Sequence, residues 1–444
     1  MRRDESGGIA APARTEPPPP MARWAMLVLV SVAMFANYYV YDALGPLADS
    51  LQRSLGFTDT QIGWLNGIYS APNIVIVLIG GIVVDRIGTR LSTLIFTAFC
   101  LAGAVLTAAT SSYAIMATGR LIFGMGAESM IVAITAALGQ WFGGKQLGFA
   151  FGLNLCIARA GSYAADLSPV WAKSFFDRGW QPPLYLSAGV MAVGLAATAL
   201  YFVMERSVGR RYALPLPAAS DRIVWSDLWR FDPSYWYVVG LCLTFYSVIF
   251  PFRSTFAIKY FQHAHHLSLA DASTMNSYVF LAAIFATPAF GLMVDKLGKR
   301  ALFMAFGTLL LLLAFPILAY TQMTLWTSTV LIGIAFSLVP AVIWPAVTYL
   351  VRPNQLGTGY GLMTMIQNIG LTIVNVAAGR LNDASHASAD NPAGYTPMLW
   401  MFGLLSLSGF VFAWLLRQRE VGPEGHDLEL PVPRSKLAPQ SAAS

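Results

Sequence analysis

Charge is what this 444-residue sequence is short of: Asp, Glu, Lys and Arg make up 11% of it, against roughly a quarter in an ordinary soluble domain. Cysteine is nearly absent too, and Cys100, Cys156 and Cys242 all fall inside apolar runs, at spacings that suit neither a disulfide framework nor a zinc site. There is no P-loop, nucleophile elbow, zincin signature or dinucleotide fingerprint, so covalent enzyme chemistry has no visible carrier. The chain is therefore read as a non-enzyme that needs no cofactor or metal. Its net charge of +6 is not gathered into a basic, aromatic-interleaved patch, which argues against a nucleic-acid partner.

What is present is hydrophobicity, 56% of all residues. About 20 apolar residues cross the hydrocarbon core as a helix, and runs of that length predict an all-α integral membrane protein with twelve transmembrane helices. Their expected limits are 23–50, 61–84, 91–111, 113–138, 147–172, 183–204, 234–261, 273–294, 301–320, 325–350, 357–382 and 397–416. The Pro-rich, polar residues 1–22 read as a disordered tail without the layout of a cleaved signal, and 417–444 as a second disordered tail. With twelve helices and a cytoplasmic N-terminus, 20 of the 28 Lys and Arg lie on the cytoplasmic side. The positive-inside rule then predicts both termini in the cytoplasm, and the expected location is the plasma (inner) membrane of the cell, as a monomer.

The Arg- and Pro-rich stretch 205–233 divides the helices into bundles of six, 23–204 and 234–416. A repeat joins the two. GGIVVDRIGTR at 80–90 aligns with FGLMVDKLGKR at 290–300, matching Gly81, Asp85, Arg86, Gly88 and Arg90 with Gly291, Asp295, Lys296, Gly298 and Arg300. QLGFAFGL at 146–153 aligns with QLGTGYGL at 355–362 at almost the same offset. Two parallel repeats characterise one large class of secondary transporter, whose substrate site lies near the bilayer midplane between the halves.

The G-x-x-x-D-R/K-x-G-x-R/K loop, present in both copies, resembles the signature of the major facilitator superfamily. YYVYDALGPL, GRLIFGMGAES, GLNLCIARAGS, IFPFR, VIWPAV and QLGTGYGLMTMIQNIGL look like that superfamily's dipeptide-uniporter branch. The chain departs from the animal members in having no acidic dileucine signal in its N-terminal tail and no N-x-S/T sequon. The resemblance implies an alternating-access carrier, with the signature loops as a clasp that stabilises one access state.

Single charges inside apolar runs are the candidates for chemistry, because each costs a few kcal/mol near the bilayer centre unless compensated or used. Glu128 on the fourth helix and Arg159 on the fifth share a depth. They can pair with each other, or hold the two ends of a zwitterion, the glutamate taking an ammonium and the arginine a carboxylate. The resemblance implies the second use, with the peptide's amino and carboxyl termini as the ligands. The repeat supports it, since Glu128 and Arg159 align with Ser337 and Asn368, so the second half builds the same helix pair without either charge.

Arg120 is eight residues from Glu128, about 12 Å along the helix and about 80° around it. It is read as holding backbone carbonyls or a helix 1 group, with proton or substrate handling as the rival. Asp166 is either a vestibule charge or a solvated helix end. Tyr38, Tyr41 and Asp42 share one face of the first helix, and Tyr246, Phe250 and Arg253 one face of the seventh. These are expected pocket walls or packing aromatics, with Asp42 and Arg253 either a gate ion pair or substrate contacts. Trp344, Gln367 and Asn368 would add stacking and hydrogen bonds from the second half. HAHH at 263–266 has no carboxylate or cysteine at ligand spacing and reads as a solvated external loop.

The expected function is transport of dipeptides or short peptides by uniport. The alternatives are a proton-coupled carrier of organic anions, with Arg159 and Arg253 as anion contacts, and a non-transporting receptor, whose signalling domain the short tails do not supply.

Overall fold

Twelve helical bodies account for the chain in a computed structural model that describes residues 19–142, 146–212, 231–320, 325–352 and 355–431, the side chains of 77, 78 and 209–211 excepted. α1 is Pro20–Asp42, carried by a short turn into Ala48–Leu55; α2 is Asp59–Ser70 followed by Asn73–Ile87; α3 is Thr89–Ala108, α4 Tyr113–Phe142, α5 Leu147–Asp166 and α6 Gln181–Arg211. α7 is Pro233–Phe250, a π-helical turn Pro251–Phe256 and Ala257–His265; α8 is Leu269–Leu297, α9 Arg300–Tyr320, α10 Leu325–Leu350, α11 Leu356–Ala384 and α12 Thr396–Val421. Among the described residues ten helical stretches are long and apolar enough to cross a membrane, and eleven with the two-part α2. The twelfth body, α5, is not among them, because Asn154, Arg159, Ser162 and Asp166 interrupt its apolar sequence.

Several ends differ from the hydropathy limits, since a helix continues past the apolar core wherever its hydrogen-bond ladder is not broken. α6 runs to Arg211, so the expected linker begins inside a helix. Residues 213–230 of that linker, 1–18 of the N-terminal tail and 432–444 of the C-terminal tail lie outside the described residues. The rest of the expected C-terminal disorder is corrected. α12 is followed by a folded segment in which Glu429 O accepts from Lys299 N–H (2.9 Å) and Glu429 Oε1 from Ala301 N–H (2.7 Å). These close the open N-terminus of α9, where backbone donors have no partner in the helix itself.

Within the first half α3 packs on α4 and α6, and α1 on α5 and α6; within the second, α9 packs on α10 and α12, α7 on α11 and α12, and α8 on α10. Across the halves the main contacts are α2 with α11 and α5 with α8. The repeat exchanges these two pairs, as the sequence alignment of helix 5 with helix 11 requires. The bundle has a signature end, with the two Gly-containing loops, and a far end, where α1, α5, α7 and α11 terminate. Gly88 (φ 81°) and Gly298 (φ 67°) sit in conformations that disfavour a Cβ, which is why glycine stands there.

At the far end the halves are in backbone contact. A Cβ on Gly63 would lie 2.3 Å from Asn375 O, and one on Gly379 2.2 Å from Asp59 O, so only glycine permits this approach of α2 to α11. Asp383 of α11 caps α2 from across the seam, its carboxylate accepting from the N–H groups of Asp59 and Thr60, each at 2.8 Å. An anion at a helix N-terminus is stabilised by the exposed donors and by the helix dipole.

Candidate functional site

α4 and α5 hold Glu128 and Arg159 half-buried between the two halves, but the two do not pair: among the described residues neither makes an ion pair. Glu128 accepts a hydrogen bond from the Tyr69 hydroxyl (3.3 Å). Tyr69 comes from the last turn of the first α2 segment and is fixed by its rings' neighbours, Tyr41 at 4.7 Å and Phe123 at 5.4 Å. Arg159 lies over the rings of Phe336 (4.6 Å), Phe280 (5.8 Å) and Tyr38 (5.9 Å). Its Nη1 is buried with no hydrogen-bond partner. Tyr38 is within electrostatic reach of both Glu128 and Arg159. The site thus presents one acceptor charge and one donor charge, neither of them used up by the protein.

The second half supplies the opposite wall. Trp344 Nε1 donates to the Tyr246 hydroxyl (2.8 Å), and the Trp344 ring stacks on Tyr360 (6.1 Å, 25°). Tyr246 stacks in turn on Phe250 (5.8 Å, 14°). Gln367 is half-buried, with its Oε1 3.5 Å from Cys242 Sγ. Asn368 is directed to its own helix, its Nδ2 donating to Thr364 O (2.9 Å).

Other sequence candidates leave the midplane. Arg253 is buried at the far end, bonded to Asp42, to Asp166 Oδ2 (2.7 Å) and to Ser254 Oγ (2.7 Å); Asn276 donates to Asp166 Oδ2 at 3.0 Å. The IFPFR stretch explains the arrangement. Pro251 has no N–H, the helix passes through a π turn at Pro251–Phe256, and two carbonyls of that turn accept side-chain bonds: Arg253 O from Asn276 (3.2 Å) and Ser254 O from Asn66 (3.2 Å). Arg253 thus spends both Nη groups on first-half carboxylates and Ser254, while its Nε is buried with no partner among the described residues. Asp166 is likewise buried, in place of the expected solvated end or vestibule.

HAHH is also corrected. His263 is buried, with Nε2 2.8 Å from Asp49 Oδ1 and Nδ1 2.7 Å from the Tyr395 hydroxyl, while His265 packs on Tyr260 and only His266 is exposed. The helix carrying the motif continues to His265 instead of ending in solvent. One turn earlier, Lys259 forms a buried pair with Asp59. Arg253, Lys259 and His263 all belong to α7, and their carboxylate partners Asp42, Asp166, Asp59 and Asp49 all belong to the first half.

Arg120 is 2% exposed and donates to Leu65 O (3.1 Å), Val40 O (3.1 Å), Tyr41 O (3.4 Å) and Asn66 Oδ1 (2.7 Å), which ties α4 to α1 and α2. At the signature end Asp295 pairs with Arg300 (3.1 Å), and Arg300 also donates to Leu428 O and Leu430 O. Arg90 lies over Phe202; Asp85, Arg86 and Lys296 are exposed. A Cβ on Gly81 or Gly291 would meet nothing within 4 Å. Sequence reasoning missed Tyr69, Asp49, Asp59, Lys259, Asn276, Phe280, Phe336 and Asp383. Lys259 was the one with a signal, as a cation closing an apolar run.

Two repeated six-helix halves, with charges between them that make no ion pair among the described residues and a buried ionic seam at one end, are the architecture of a membrane transporter. The chain belongs to the Major Facilitator Superfamily, whose sequence pattern matches residues 30–259 and 241–443. It is 31% identical to the lysosomal dipeptide transporter MFSD1 of Homo sapiens, over 84% of this chain and 83% of that one. With the lysosomal dipeptide transporter MFSD1 of Danio rerio it shares 30% identity over 86% of each. Among solved structures, a bacterial homolog to the human lysosomal transporter Spinster, in an inward-facing and unoccupied conformation, superposes with a TM-score of 0.74 over 90% of this chain and 98% of the other. At 15% identity that likeness speaks for the fold.

Proposed function

We propose that this transporter carries dipeptides or other short peptides by uniport, with Glu128 binding the ammonium end and Arg159 the carboxylate end. The observation that carries the reading is the pair of mid-depth charges without protein counter-ions, above all the buried Arg159 Nη1 with no acceptor. A charge held in that way is costly unless a ligand completes it, and a zwitterion supplies both missing partners at once. The dipeptide-transporting relatives support the same substrate class. The Trp344, Tyr246 and Tyr360 wall offers side chains a broad apolar surface, which discriminates weakly between residues differing by a methylene or a hydroxyl.

In this reading the far end is the outer gate, closed here by the α7 cations on first-half carboxylates, and rocking of the halves breaks that seam while the signature loops engage. Both termini are then cytoplasmic and the chain resides in the plasma membrane.

Flux of dipeptides into proteoliposomes is the test. Arg159→Ala and Glu128→Gln abolish it, while lipid-facing Val193→Ala leaves it intact. N-acetylated and C-amidated dipeptides are both poor substrates, whereas a carrier of organic anions accepts the N-acetylated form. Net uptake unaffected by a pH gradient supports uniport; full flux in both charge variants ends the reading.

A further inference from the structure

Three arginines inside the bundle, the buried Arg120 and Arg253 and the half-buried Arg159, are held in two different ways. Arg120 rests against the rings of Tyr41, Tyr69 and Phe123 and has four acceptors. Arg253 lies 3.7 Å from the centre of the Phe280 ring and has Asp42, Asp166 and Ser254. At Arg159 the rings stand alone: among the described residues none of its donors has an acceptor. A guanidinium nitrogen removed from water without an acceptor, as Arg159 Nη1 is, is expensive. An aromatic face offsets part of that cost through its quadrupole and occupies none of the N–H groups, which lie in the guanidinium plane.

Phe336 is the nearest of these rings, at 4.6 Å, and it is itself immobilised. It is 1% exposed and meets Phe280 edge to face (5.6 Å, 77°) and Phe250 likewise (6.0 Å, 83°). It also comes from α10 in the second half, whereas Arg159 comes from α5 in the first.

We propose that Phe336 is the positioning residue for Arg159, holding the guanidinium by its face across the interface between the halves so that its hydrogen-bond donors stay free for the carboxylate of the cargo. The inference rests on the reading of Arg159 as the carboxylate contact. It assigns specificity for a free C-terminus to a residue that never touches it, and it places that recognition on both halves, whereas Glu128 and Tyr69 place ammonium recognition on the first half alone.

Ring electronics separate this role from packing. Pentafluorophenylalanine installed at position 336 by nonsense suppression keeps the shape of the ring and inverts its quadrupole; Phe336→Tyr keeps the quadrupole and Phe336→Leu removes it. Affinity is read by ligand-dependent thermal shift for a dialanine probe and for its C-amidated form. The expected result is a three- to thirty-fold loss, roughly the range of a cation–π contact, for dialanine in the pentafluoro and Leu variants. The Tyr variant stays within about twofold of the wild type, affinity for the amide is the same in all four proteins, and the loss falls on KM with kcat retained. Wild-type affinity in the pentafluoro protein overturns the role of Phe336, as does an equal loss for acid and amide. A wild-type protein that does not prefer the acid to the amide removes the carboxylate reading of Arg159, and this inference with it.

Discussion

Asp42 and Arg253 come from opposite halves of the bundle and meet as a buried ion pair, with Asp166 as the second carboxylate on the same guanidinium at 2.7 Å. Removing one member of such a set leaves a buried charge uncompensated, which typically costs about 3–5 kcal/mol. Arg253→Gln is therefore expected to lower the melting temperature of the detergent-purified protein. The triple variant with Asp42→Asn and Asp166→Asn recovers most of that loss, because neutral side chains carry no such penalty. A triple variant no more stable than Arg253→Gln sinks the argument.

Tyr69 makes the one hydrogen bond described for Glu128. Tyr69→Phe keeps the ring against Tyr41 and Phe123 and removes that bond, so Glu128 loses its orientation and keeps its charge. Loss of a hydrogen bond to a charged group is worth about 1.5–3 kcal/mol at most. Dipeptide KM is expected to rise by roughly tenfold, with binding of an N-acetylated dipeptide unchanged. Equal weakening of both ligands contradicts the assignment.

The contact of Gly63 with Asn375 O and of Gly379 with Asp59 O predicts that Gly63→Ala or Gly379→Ala opens the far end. Overpacking of this kind costs about 1–3 kcal/mol, and separating α2 from α11 relieves it. A single cysteine placed at Thr60, after the native three are replaced, should react faster with a membrane-impermeant maleimide in either alanine variant. Unchanged labelling rates count against the seam as the closing element.

Asp232, which precedes α7 at the signature end, gives a pH dependence. Burial pushes its carboxyl up, but the Ser234 N–H, Arg419 and His426 outweigh that and hold it below the usual carboxylate range. A depressed carboxylate adds stability above its unfolded pKa of about 3.9 and loses it as pH falls through the folded value. Between about pH 6 and pH 3, the wild type is expected to lose more thermal stability than Asp232→Asn, and a parallel decline would remove Asp232 as a contributor.

The helices and the repeat were readable because both are local properties. Membrane-depth hydropathy needs about 20 consecutive residues, and the Gly88 and Gly298 loops are conformations that a ten-residue motif imposes wherever it occurs. Glu128 and Arg159 were readable for a related reason, since an isolated charge in an apolar run is conspicuous without knowledge of its neighbours. The gate was not. Asp49 stands at the end of the first expected helix and Asp59 in the loop after it, neither marked in the sequence, and His263 sits in a motif that resembles a solvated turn, yet α7 draws both aspartates into buried pairs. Phe336 is one of 27 phenylalanines, with nothing in its surroundings to mark it.

The sequence by itself determined that this protein is a two-fold repeated helical membrane transporter with a carboxylate and a guanidinium inside its apolar runs, because hydrophobicity and charge act on every residue where it stands. Only the tertiary structure decided which charges cancel and which stay free: Arg253, Lys259 and His263 meet their carboxylates across the far-end seam, and Arg159 meets only rings. Partner choice among these buried charges depends on contacts 87 to 214 residues apart in the chain, and those exist only once the two halves have packed.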